Sequence, residues 1–295
     1  MAQVLVPTKT DVSSRRPVAV KRSPDWSAAY RLSSALAVVA AATTALTFFV
    51  PDVLRGPAAM NGSGRGTALV ALVLGVPVLV AAMLATVRGS VGGSLFWLGA
   101  VAYLFYQSVL LLFMTPFNSL FLLYCAMLSL SIWSIIAISR ALDAAAVAAR
   151  FEHAVPVRPI AGFLWVVAVL NAAAWLAEVV PALFSGGRPE FLEGTGLGTN
   201  PVYVQDLSFW IPLTSLAAWW LWQRWAWGYV TAGALLVFFV IENITIAVDQ
   251  YLGSAADPAS PMVSDALTPV FALLALVSAI PLYVFMRNVR GRTQP

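Results

Sequence analysis

Apolar residues along this chain gather into eight blocks separated by short polar, glycine- or proline-bearing breaks. The blocks fall at 32–51, 68–87, 94–114, 119–138, 161–184, 206–222, 227–249 and 266–286. A helix needs about 20 apolar residues to cross a hydrocarbon layer of about 30 Å. The pattern therefore predicts an all-α fold, a polytopic membrane bundle of eight transmembrane helices. Thr115-Pro116-Phe117-Asn118 separates the third block from the fourth, and Gln223-Arg224-Trp225-Ala226 separates the sixth from the seventh. Breaks this short force antiparallel helical hairpins. The sixth block is short and contains Pro212, which predicts a kink or a tilt.

Charge orients the blocks. With the N-terminus placed inside, 14 Lys and Arg residues fall on the cytoplasmic side and only Arg55, Arg65 and Arg188 on the other. That split is the positive-inside pattern, and it predicts both termini in the cytoplasm of a bacterial plasma membrane. The acids Glu190, Glu193, Asp206, Asp249, Asp257 and Asp265 fall in or beside outer loops. Residues 1–31 read as a disordered, basic cytoplasmic tail, 32–286 as the membrane domain, and 287–295 as a short cytoplasmic C-terminal tail. The 139–160 segment reads as a connector that continues the fourth helix or lies in the interface.

Composition narrows the class further. The chain is 60% hydrophobic and 10% charged, too little charge to cover the surface of a soluble domain. It has one cysteine, Cys125, and one histidine, His153, so neither an internal disulfide nor a Cys/His metal cluster can form. His153 reads as a solvated loop residue. No cofactor is expected. The net charge of +4 lies beside apolar blocks, where orientation accounts for it, so no nucleic-acid partner is expected. The expected surroundings are the lipid bilayer, with a homo-oligomer or a membrane partner left open. Trp219 to Trp227, beside Arg224, read as headgroup anchors at the inner boundary.

Sliding the chain by 135 residues superposes Pro77 on Pro212, Gly93 on Gly228 and Gln107 on Glu242, and brings Arg88 within one residue of Arg224. These coincidences raise the expectation of two parallel four-helix repeats, although any two hairpins can share such features.

Ionisable side chains inside a span are costly, roughly 2.5–3.5 kcal/mol at the centre, and usually mark a function. Glu178 shares a helical face with Asn171 and Trp175 at i, i+4, i+7 spacing. Glu242, with Asn243, lies below Thr245 and Asp249 on a stripe that rises to the outer surface. The third block supplies Tyr103, Tyr106 and Gln107; Asp206 stands where a first-turn acid or cap belongs on the sixth helix. Many of these groups are ordinary interhelical hydrogen-bonding partners in membrane bundles. Glu178 and Glu242 resist that reading, because no Lys or Arg within a span neutralises them; each must be protonated, hydrated or shared with a cation.

The strings Phe96 to Gln107, Phe117 to Tyr124, and Thr199-Asn200-Pro201 through Asp206-Leu207 resemble a family of uncharacterised multi-pass membrane proteins of actinobacterial type. The resemblance covers roughly residues 65–250 and implies a plasma-membrane location. It carries over no functional residue, and Gln107 stands where the family pattern has an Asn-Tyr pair.

Together these features point to an ion- or proton-coupled small-molecule carrier with an outward-facing acidic cavity. Glu242 and Glu178 would titrate, and Gln107, Tyr106, Asn171, Asp206 and Asn243 would line the cavity, with no metal. Two alternatives stand beside it. One is a membrane-embedded enzyme acting on a lipid or isoprenoid through Glu242 and Asp206; the other is a non-catalytic sensor or assembly subunit.

Overall fold

A computed structural model describes residues 25–151 and 155–289. The predicted N-terminal tail up to residue 24, His153 and residues 290–295 lie outside the described residues. The described chain is helical, with no strand. We label the long helices α1 (Ser27–Phe49), α2 (Ala58–Val87), α3 (Val91–Phe113), α4 (Phe121–Ala141), α5 (Val157–Phe184), α6 (201–222), α7 (Ala226–Ala256) and α8 (Leu267–Arg287).

Seven of them, all but α6, are long and apolar enough to cross a membrane. The sixth, built from an α turn, a π segment and a second α segment, differs from the expected span because Gln205, Asp206, Pro212 and four tryptophans dilute its hydropathy. Two ends also differ from expectation. α2 begins at Ala58 and α7 continues to Ala256, so both run past the predicted blocks. They do so together: Gly62 and Gly66, spaced as in a GxxxG motif, let α2 lie directly on the backbone of α7 at Leu252 and Asp249.

α3 and α7 form the centre. They bury 72% and 67% of their most apolar stretch, whereas α5 and α8 bury 22% and 17% and so present most of their apolar surface outward. α3 and α7 run parallel and in register, since Gly99 meets Ala234 and Val237 while Tyr103 reaches Thr245 further along. One end of the bundle gathers the start of α1, the 87–91 turn, the loop after α4, the 222–226 turn and the end of α8. Trp26 stacks on Trp97 there at 5.4 Å, Phe151 packs on Tyr229 and Phe285 at 4.9 and 4.5 Å, and Arg158 lies 5.6 Å from the Trp222 ring. Asp25 accepts from the Ser27 backbone N–H at 2.9 Å just before α1, and that hydrogen bond holds its carboxyl below the usual range.

Local structure recurs at the 135-residue spacing. π segments occupy Ala71–Gly75 and Asp206–Trp210. Each is followed by an α segment with proline at its second position, Pro77 or Pro212. Proline cannot donate to the carbonyl four residues back, and a wide turn absorbs that loss. Both α segments close the same way. Ser90 N–H bonds the Ala85 carbonyl and Gly89 N–H that of Thr86; Trp225 bonds Trp220 and Arg224 bonds Leu221. This is a Schellman cap, which needs a left-handed residue. Gly89 takes that conformation at φ 83°, but the second turn places Arg224 there at φ 56°. A non-glycine residue in this region costs roughly 1–2 kcal/mol. Arg224→Gly is therefore expected to stabilise the protein by about 1 kcal/mol, read as a higher melting temperature in detergent; a lower one would contradict the strain.

Candidate functional site

The site grows from the α3–α7 seam. A Cβ at Gly99 would stand 2.6 Å from the Ala234 carbonyl oxygen, so the absence of a side chain is what lets the two helices approach. Further along, the Tyr103 and Thr245 hydroxyls share a 2.9 Å hydrogen bond. Next the Gln107 amide Nε2 donates to Glu242 Oε2, a pair separated by 135 residues in sequence. Gln107 is fully buried and Glu242 is 8% exposed. The Gln107 Oε1 acceptor has no hydrogen-bond partner.

Beside this pair stands an aromatic stack. Trp210 lies flat on Phe238, with ring centroids 4.6 Å apart, and Tyr106 packs on both at 5.7 and 5.5 Å. The π segment that positions Trp210 also turns Asp206 inward. Asp206 is buried and accepts the Trp175 indole N–H at 2.8 Å, and the Tyr106 and Asn171 side chains face the same carboxyl group. Tyr106 neighbours both Asp206 and Glu242. No lysine or arginine is buried among the described residues. Nor do they contain a group of three or more His, Cys, Asp or Glu side chains able to hold a metal ion.

The candidates thus divide. Glu242, Gln107, Tyr106, Asp206 and Asn171 surround one buried region. Asn243 turns away: its Nδ2 donates to the Phe239 carbonyl and to Ser278 Oγ on α8. Glu178 is exposed on α5 near Tyr203, so the shared face with Asn171 and Trp175 splits at its outer end. The carboxyls of Glu242 and Asp206 are both buried, not set in an open acidic cavity. The physical reason is packing: Trp210, Phe238 and Tyr106 stack beside the two carboxyls. A cavity of about 530 Å³ lies elsewhere, lined by Arg55, Gly56, Thr115, Pro116, Gly196 and Gly198 and by no acid.

Sequence reasoning placed Trp175 on the right face without assigning its partner, and it missed Tyr203, which packs on Trp175 at 4.5 Å. The Tyr-Val-Gln-Asp run put Tyr203 three residues from Asp206, which was the available signal. The fold and the site define a helical membrane protein with a buried, acceptor-rich centre. Comparison with protein-family models, with curated proteins and with solved structures finds no match.

Proposed function

We propose that this protein is a small-molecule carrier in which Glu242 exchanges a proton or a cation as cargo moves. One observation carries the reading: Glu242 is kept in the central seam with an uncharged amide as its hydrogen-bond donor and no buried cation beside it. A hydrogen bond alone would be served by a second amide, at lower cost than a carboxyl in a low-dielectric core. An exchangeable charge is what the carboxyl adds. The lipid-enzyme alternative has less support, because Glu242 and Asp206 take their hydrogen bonds from different side chains, Gln107 and Trp175.

The same reading makes α6 an eighth crossing. It leaves the end that holds the 185–200 loop and arrives at the turn beside Arg158, as an antiparallel neighbour of α5. Eight crossings bring both termini to one side, and Arg31, Arg88, Arg140, Arg150, Arg158, Arg224 and Arg287 mark it as the cytoplasmic side of a bacterial plasma membrane. The recurrence at 135 residues supports two four-helix halves, α1–α4 and α5–α8, that rock about the α3–α7 seam to give alternating access.

Carbodiimide labelling tests the assignment. Dicyclohexylcarbodiimide modifies carboxyl groups that carry a proton in apolar surroundings. We expect an adduct on the Glu242 peptide that fades as the pH is raised, with no such adduct in Glu242→Gln. Modification of other carboxyls while Glu242 stays untouched would sink the assignment.

A further inference from the structure

We propose that the cavity between the α1–α2 loop, the α3–α4 turn and the 195–198 loop binds a small organic carboxylate, with Arg55 as its counter-charge. Its volume, about 530 Å³, falls in the range of small-molecule sites. Three observations give the chemistry of the occupant. First, Arg55 in the lining has a free guanidinium fork. Its Nε donates to the Asp52 carbonyl at 3.2 Å, while both terminal nitrogens lack a protein acceptor and no carboxylate pairs with it among the described residues. A planar fork of that kind matches the two oxygens of a carboxylate. Second, the lining holds further unused donors and no acid. The Gly196 and Gly198 N–H groups make no hydrogen bond. The acids of the surrounding loops, Asp52, Glu190 and Glu193, stay outside the lining. Third, Pro57, Met114, Pro116 and Leu197 supply an apolar wall, which favours an acid with a hydrocarbon body over a bare inorganic ion.

The walls are braced by the protein itself. Asn61 clamps Gly56, accepting from its N–H at 3.0 Å and donating to its carbonyl at 2.9 Å. Asn118 donates to the Pro116 carbonyl at 3.0 Å within the α3–α4 turn. Arg188 donates to the Leu197 carbonyl at 3.0 Å, and the Leu197 N–H donates to Thr195 Oγ1 at 3.1 Å. Groups fixed in advance lose less freedom when a ligand binds. Two arginines at this end thus differ in use: Arg188 holds a wall, whereas Arg55 keeps its fork free. Two of the walls come from the first four helices and the third from the α5–α6 loop, so the cavity lies where the two halves meet. In the carrier reading the acid is the cargo, and the proton exchanged by Glu242 is its companion.

As the identity of the cargo, this inference rests on the carrier reading; as a binding site, it is testable at equilibrium without transport. Para-fluorobenzoate is titrated onto the purified protein in neutral-lipid nanodiscs and followed by fluorine NMR, with empty nanodiscs as the blank. We expect saturable binding that unlabelled benzoate displaces and that falls at least about 10-fold in Arg55→Gln, as for loss of one charge-assisted pair. Size-exclusion profiles report folding. Should Arg55→Gln fail to fold, the wild type decides: benzoate is expected to shield the Arg55 peptide from phenylglyoxal, and an unshielded peptide overturns the proposal. Oleate doped into the nanodisc lipid separates the two sources of the acid, displacing the probe if the acid comes from the membrane and leaving it bound if the acid comes from water. Absence of saturable binding to the folded wild type overturns the proposal. So does binding that Arg55→Gln leaves unchanged, and so does displacement by inorganic phosphate at equal concentration, which would mark an unselective anion site. Failure here leaves the Glu242 assignment standing, because that carboxyl is read by its own label.

Discussion

Leucine in place of Gly99 is expected to break the centre of the bundle. Its Cβ would meet the Ala234 carbonyl oxygen at 2.6 Å and the Val237 Cβ at 2.7 Å. Neither can move aside, since one is backbone and the other is the stiff branch point of a buried valine. Overpacking a core costs typically 1–3 kcal/mol when side chains can rearrange. Here the helices themselves must separate, so the loss should reach about 3 kcal/mol or more and remove the monodisperse peak on size exclusion. Gly162 serves as the control, because nothing stands within 4 Å of a Cβ built there. Gly162→Leu should keep the wild-type profile. A Gly99→Leu protein as stable as Gly162→Leu would show that α3 and α7 do not pack as described.

The second large effect concerns the Gln107–Glu242 pair and has a sign that separates two accounts. Gln107→Leu leaves the Glu242 carboxyl without its donor; Glu242→Leu leaves the whole buried Gln107 amide unpaired. Each single change should cost about 1–3 kcal/mol, the cost of an orphaned polar group in the interior. Replacing both by leucine removes both orphans, and such exchanges are near neutral or stabilising. The double variant is therefore expected to melt near the wild-type temperature while having lost function. Additive losses in thermal denaturation would mean that the two side chains do not depend on each other.

Much of the fold was legible because lipid imposes a simple rule. Length and apolarity give the helices, and the breaks at Pro116 and Arg224 give the tight turns. Even the 135-residue spacing was visible in Pro77 and Pro212, each of which follows a π turn. What stayed hidden has physical reasons. The extensions at the start of α2 and the end of α7 are not apolar; Gly62 and Gly66 let their two backbones meet, a pairing that hydropathy does not register. The division of the polar residues was hidden as well. Periodicity placed Asn171, Trp175 and Glu178 on one face, but only the position of α6 decides that Trp175 meets Asp206 while Glu178 points outward. Similarly, Glu242 and Asn243 are neighbours in sequence, yet a helix turns them about 100° apart, towards α3 in one case and α8 in the other. The closed centre was the least legible feature, because it depends on Trp210 lying flat against Phe238.

The central claim is that Glu242 moves charge. Proteoliposomes adsorbed on a solid-supported membrane and challenged with a pH jump report that movement as a transient current, with no need to know the cargo. A current is expected from the wild-type protein, absent from equally reconstituted Glu242→Gln and surviving in Glu178→Gln, whose side chain lies outside the buried centre. Identical transients from wild type and Glu242→Gln would contradict it.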